Sequence, residues 1–182
     1  MIKKMRIETN RLVIRPYIEN DLLESFQLMQ NKELFKYLDM EIMSFEEYKG
    51  LFKWLIDSYK TGFEDDFKYS FAIFLKDTGK FIGWCCSGPS DELPNPNREI
   101  AYTISKYHRN KGYTTQAAQG LIKYLLKKTN VDVLDAMALT HNGPSNRIIQ
   151  KCGFRYVNNI KVGEREFYCY KLRKSQLQNE NK

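Results

Sequence analysis

A chain of 182 residues, 42% hydrophobic and 14% aromatic, is long enough for one sizeable core, short for two, and too apolar for a disordered polymer. Its net charge of +7 suits an acidic ligand, while the lack of a basic run or an RNA-binding aromatic motif argues against a nucleic-acid module. Four cysteines with no CxxC spacing, no run of about 20 apolar residues and no apolar stretch behind the basic start argue against a zinc site, a disulfide scaffold and a spanning helix, and the expected compartment is the cytoplasm.

Leu12, Ile14 and Pro16 alternate with Arg11, Val13 and Arg15, a half-buried strand that Pro16 ends or places at an edge. Asn20 or Asp21 can cap the next helix, striped by Leu22, Phe26 and Met29. The connection 34–43 carries Phe35, Tyr37, Leu38, Met40 and Met43 and is more apolar than a solvated loop. Ser44 and Glu47 form a capping box for an amphipathic helix bearing Phe45, Tyr48, Phe52, Leu55, Ile56 and Tyr59. Gly62 and the acidic residues 64–66 mark a turn. Residues 69–75 and 80–86 then read as a hairpin about Asp77-Thr78-Gly79, and 87–97, with three prolines, as a loop.

Residues 100–104 form a strand leading into the turn Arg109-Asn110-Lys111-Gly112-Tyr113-Thr114. A helix follows with Ala117, Ala118, Leu121, Ile122 and Leu125 on one face and Lys127 and Lys128 near its end. Residues 133–139 make a strand parallel to 100–104 through a right-handed crossover. Residues 154–162 and 166–172 make an antiparallel pair, and the polar tail 174–182 is expected to fray. With no repeat or linker, 1–182 is expected to be one domain.

A strand, a glycine-bearing turn and a helix start in line form an anion site. Unpaired backbone N–H groups point outward at the positive end of the helix dipole, Gly112 has no Cβ to hold the anion off, and Arg109 and Lys111 add charge. The turn has neither the lysine-plus-hydroxyl ending of a P-loop nor the three glycines of a dinucleotide fingerprint.

This turn resembles the pyrophosphate loop of the GNAT superfamily of acyl-CoA N-acyltransferases, with Thr114 where that pattern has glycine or alanine. The segment from Asn142 through Ser145 to Lys151-Cys152-Gly153-Phe154 resembles the second signature of the branch holding the ribosomal-protein N-terminal acetyltransferases. Glu8-Thr9-Asn10-Arg11-Leu12 through Pro16 resembles that branch's opening strand. The resemblance implies an α/β (α+β) GNAT fold: one mixed central sheet of about six to seven strands, a V-shaped splay between two parallel strands, and helices on both faces. It implies transfer of the acetyl group of acetyl-CoA to a primary amine by direct attack in a ternary complex, the acceptor being a protein N-terminal α-amine, with no metal and a monomer or homodimer. A small polyamine or aminoglycoside acceptor is the alternative, with Asp39, Glu41 and the 64–66 carboxylates as cation subsites. A noncatalytic acyl-CoA-binding module is the rival from another class.

By the same resemblance the main chain of Tyr102, Thr103 and Ile104 pairs with the pantetheine arm, the pyrophosphate falls on Arg109, Asn110, Lys111, Gly112, Tyr113 and Thr114, and Asn142 holds the pantetheine unless it only forms a turn. The acceptor cleft is built from 34–43 and the 158–164 turn. Aminolysis of a thioester needs a neutral amine, an oxyanion stabiliser and a proton for the thiolate. Glu99 is the candidate base, or else a solvent-facing strand carboxylate. Ser145 is a candidate proton relay, or an N-cap, or both. The tyrosine acid of many relatives is replaced by Ile149, which leaves Ser145, Tyr102, Tyr113 or water for that task. His108 and His141 read as surface or turn histidines and Cys152 as a small buried residue.

Overall fold

Alternating apolar and polar side chains lay out the strands that pair into a single eight-stranded sheet in the computed structural model, which describes residues 4–38, 41–60 and 68–179. The chain runs through β1 (Ile7–Glu8), β2 (Leu12–Arg15), α1 (Leu22–Met29), α2 (Phe45–Ser58), β3 (Tyr69–Leu75), β4 (Phe81–Gly88), β5 (Glu99–Ile104), α3 (Tyr113–Lys128), β6 (Val133–Leu139), α4 (Gly143–Lys151), β7 (Arg155–Val162), β8 (Arg165–Arg173) and α5 (Lys174–Asn179). The strand order is β1-β2-β3-β4-β5-β6-β8-β7. Every neighbouring pair is antiparallel except β5 and β6, which are parallel and joined through α3.

Helices cover both faces. Gly120 of α3 sits against Ile7 and Ile14, whose neighbour across the ladder is Ile73. The next residue, Phe74, points to the other face. There it meets Phe81, which packs on Tyr17, which in turn meets Phe52 of α2 edge to face. The face of α3 predicted from periodicity is the buried one: Ala117, Ala118, Leu121, Ile122 and Leu125 are all in the core.

Two expectations are corrected. The sheet has eight strands because the two-residue β1 adds to the edge of β2, and two residues carry no readable period. Pro16 therefore ends β2, which lies inside the sheet. Neither Asn20 nor Asp21 caps α1 with its side chain; the Asp21 carboxylate instead accepts two hydrogen bonds from Arg15, at 2.7 and 2.9 Å, and one from the Ile18 N–H. At the tail, a helix starts at Lys174. The Lys174 N–H donates to Asp132 O and the Gln176 side chain accepts the Arg173 N–H, which starts α5. The capping box at Ser44 and Glu47 is present as expected. Gly62 and the acidic turn 64–66 lie outside the described residues, as do Asp39 and Met40.

Candidate active site

β5 has two very different edges. β4 pairs with it from Gly88↔Glu99 to Gly83↔Ile104, whereas β6 meets it at one position, Glu99↔Asp135. Past that rung the parallel strands part, and among the described residues no strand pairs with the outer edge of Tyr102, Thr103 and Ile104. That gap is the expected splay. Backbone N–H and C=O groups on such an edge need partners, so it is a place for an extended ligand arm to pair.

Charge holds the closed end of the gap. The Asp135 N–H donates to Arg98 O at 2.8 Å, and its carboxylate accepts from the Arg98 N–H at 3.3 Å and from Lys171 Nζ at 2.6 Å. Glu99 accepts from Lys68 Nζ at 2.7 Å. Both carboxylates are buried, while each lysine side chain is 39% exposed. Burial works against the Lys68 charge, but Glu99 beside it more than compensates and holds the ammonium above its usual range. Glu99 is thus not a solvent-facing carboxylate. By strand alternation it shares a face with Ala101 and Thr103 and points away from the side chain of Tyr102.

At the far end of β5 a short 3-10 turn, Lys106–His108, leads into the glycine-bearing turn. Asn110 (φ 60°) and Gly112 (φ 76°) both adopt left-handed backbone, which asparagine and glycine tolerate best. Gly112 is the N-cap of α3 and offers no side-chain acceptor. The Gln116 N–H bonds back to Gly112 O at 3.1 Å, and the first-turn N–H groups ahead of it lie beyond the reach of intrahelical carbonyls. Lys111 and Gly112 are exposed, and Tyr113 and Thr114 half-buried. Arg109 lies 3.6 Å from Glu33. The turn therefore fits a diphosphate: open N–H donors, a helix dipole and two cations.

Across the gap stands α4. Asn142 is its N-cap, accepting the Ser145 N–H at 3.3 Å, so Ser145 lies in the first turn and is not the cap. Its Oγ is 3.3 Å from the Tyr102 hydroxyl, which also donates to Ser145 O. Burial raises the Tyr102 phenol, against the lowering effect of Ser145, so it stays protonated at neutral pH. Asn146 supports this end: its buried amide donates to Leu139 O and Asn142 O, both at 3.0 Å, and accepts from the Tyr170 hydroxyl at 2.9 Å.

Other candidates take their expected bland places. Ile149 and Cys152 are buried, and burial pushes the Cys152 thiol up to about 12, so it is no nucleophile. His108 is half-buried beside Tyr113; burial, then Lys80 and Lys111, lower its pKa. His141 is exposed, 6.4 Å from the Tyr37 ring. Next to the 158–164 turn, Arg165 at the start of β8 donates to Tyr37 O in the 34–43 connection at 3.3 Å. Glu41 lines a hollow with Met29, Phe35, Met43 and Tyr48. Lys68, Asp135 and Asn146 were not singled out from sequence, since their partners lie across the fold. Among the described residues no group of three or more His, Cys, Asp or Glu side chains could hold a metal.

Residues 11–155 match the family model described as an acetyltransferase (GNAT) domain. A Bacillus subtilis (strain 168) protein named as the uncharacterized N-acetyltransferase YnaD is 26% identical over 151 residues, 83% of each chain. Among solved structures, a GNAT-family acetyltransferase from Bacillus anthracis superposes with a TM-score of 0.78 at 21% identity, over 94% of this chain and 99% of that one. The complex of RimL, a ribosomal L7/L12 alpha-N-protein acetyltransferase, with coenzyme A gives a TM-score of 0.80 at 17% identity, over 93% and 98%.

Proposed function

The chain belongs to the GNAT acetyltransferase family, and from that premise we propose that it acetylates the α-amine of a protein N-terminus by direct attack on acetyl-CoA in a ternary complex. The observation that carries the reading is the single-rung β5–β6 ladder, whose open edge runs from a buried carboxylate to an anion-binding turn. The choice of an α-amine is supported by the signature from Asn142 to Phe154 and by the likeness in fold to RimL, whose described substrate is ribosomal L7/L12.

In this reading acetyl-CoA supplies an activated thioester with a thiol leaving group of pKa about 8.5. Arg109 through Thr114 hold its diphosphate, and the outer edge of Tyr102, Thr103 and Ile104 pairs with the arm. Backbone N–H groups of that edge stabilise the negative charge growing on the carbonyl oxygen with little reorganisation. Glu99 takes the proton from the incoming ammonium, directly or through water, in competition with its bond to Lys68. Ser145, held by the neutral Tyr102 hydroxyl, relays a proton to the departing thiolate, giving up its own and taking back the one that the attacking nitrogen loses in the tetrahedral intermediate. Asn142 caps α4 through its Oδ1, so it is its amide NH2 that meets the arm.

Release of free thiol, screened across peptides of varied N-termini and across polyamines and aminoglycosides, tests the assignment. Peptide-dependent release supports it, release only with small polycations moves the acceptor to the alternative class, and no release with any amine leaves a binding module.

A further inference from the structure

The opening segment Thr9-Asn10-Arg11 resembles a family motif, yet no step above uses it. The structure shows where it goes. Thr9 Oγ1 donates to Gln116 Oε1 at 2.9 Å, and the Arg11 N–H reaches the same oxygen at 3.2 Å, so the turn between β1 and β2 is tied to the first turn of α3 from more than 100 residues away. Arg11 then extends over the turn itself. Its guanidinium lies 4.5 Å from the centre of the Tyr113 ring and donates from Nη1 to Lys111 O at 3.0 Å. Its Nη2 stands 3.3 Å from where a side chain on Gly112 would begin.

We infer that Arg11 is a positioning residue of the diphosphate turn, holding the Lys111–Gly112 peptide so that the Gly112 N–H faces the anion. In a trans peptide the C=O and the following N–H point in opposite directions. Anchoring Lys111 O on the guanidinium therefore directs the Gly112 N–H to the other side, away from Arg11. The peptide needs such an anchor because Lys111 lies between two left-handed residues, Asn110 and Gly112, and this peptide joins it to the second of them. An arginine suits the task, since a planar cation both stacks on Tyr113 and donates to a carbonyl. The Gln116 contacts fix the guanidinium's base, and with it the turn, relative to the helix dipole.

This rests on the proposed acyl-CoA site, and the test separates the two. Coenzyme A is titrated into the wild-type chain, Arg11→Met and Arg11→Lys by calorimetry, while the Gly112 amide resonance is followed by NMR. Wild type binds and its Gly112 amide shifts. Arg11→Met loses about tenfold in affinity, the scale of one charge-assisted hydrogen bond, with a reduced Gly112 shift at saturation, and Arg11→Lys falls between. Equal affinity and an equal shift in Arg11→Met overturn the inference and leave the site intact. Lost affinity with an unchanged shift also overturns it, because Arg11 then acts only through its charge. A wild-type chain that binds no coenzyme A removes the site and the inference together.

Discussion

The two edges of β5 are made of the same six residues and have opposite fates. Along the β4 edge the ladder is complete, and Gly83 permits an approach so close that a Cβ there would collide with Thr103 O. Along the β6 edge one rung forms and the strands part. A strand of ordinary composition thus keeps one edge open, because its neighbour leaves. What holds the departing neighbour is the charge cluster at the closed end, and what waits at the open end is the glycine-bearing turn of the proposed diphosphate site.

Changes at the closed end and at the turn break this contrast to different degrees. Glu99→Gln removes the proposed base and lowers turnover by roughly 100-fold or more at neutral pH. The loss shrinks as pH rises toward the amine's own pKa, which the pH–rate profile of thiol release records. Gly112→Asp puts a side chain at positive φ, started against Arg11 Nη2, and a negative charge that both engages Arg11 and repels an anion on this turn, and weakens coenzyme A binding about 100-fold by calorimetry. Asp135→Ala deletes the group that clamps Arg98 and Lys171 at the only rung. It costs about 2 kcal/mol in urea unfolding, below the range for fully buried pairs because Lys171 is part exposed.

The smallest effect is alkaline. The Lys68 pKa is raised above its unfolded value of about 10.5, so the stability from its pair with Glu99 is whole below that pH and fades as pH climbs through the higher folded-state value. Tyr17, Tyr48, Tyr59 and Tyr102, raised chiefly by burial, also lose stability above about pH 10, where the unfolded phenols ionise first. Lys68→Met therefore shows a smaller fall in urea midpoint between pH 9 and pH 11 than wild type, but not a flat response.

Legibility in the sequence followed the range of the interactions. The α3 face, the Ser44 capping box and the β3–β4 hairpin depend on residues a few positions apart, and periodicity or turn chemistry exposes them. The glycine-bearing turn ahead of α3 was legible for the same reason, being one hexapeptide. The splay was not: nothing in residues 99–104 or 133–139 distinguishes a one-rung ladder from a full one, and only the family resemblance supplied it. Arg11 on Lys111, Lys68 on Glu99, Lys171 on Asp135 and Tyr102 on Ser145 join residues 31 to 100 positions apart. Such pairs have no local pattern. The helix at Lys174–Asn179 was missed because a polar tail gives no apolar stripe, and its start depends on Asp132.

Amide hydrogen exchange along β5, with and without coenzyme A, tests most directly whether the β6-facing edge is the ligand-pairing edge. In the free protein the account predicts that β5 amides bonded to β4 exchange slowly, while those past Glu99 that face β6 exchange fast and slow markedly once coenzyme A binds. If the β6-facing amides are already protected without ligand, or if bound coenzyme A leaves their exchange unchanged, the open edge is not where the arm pairs.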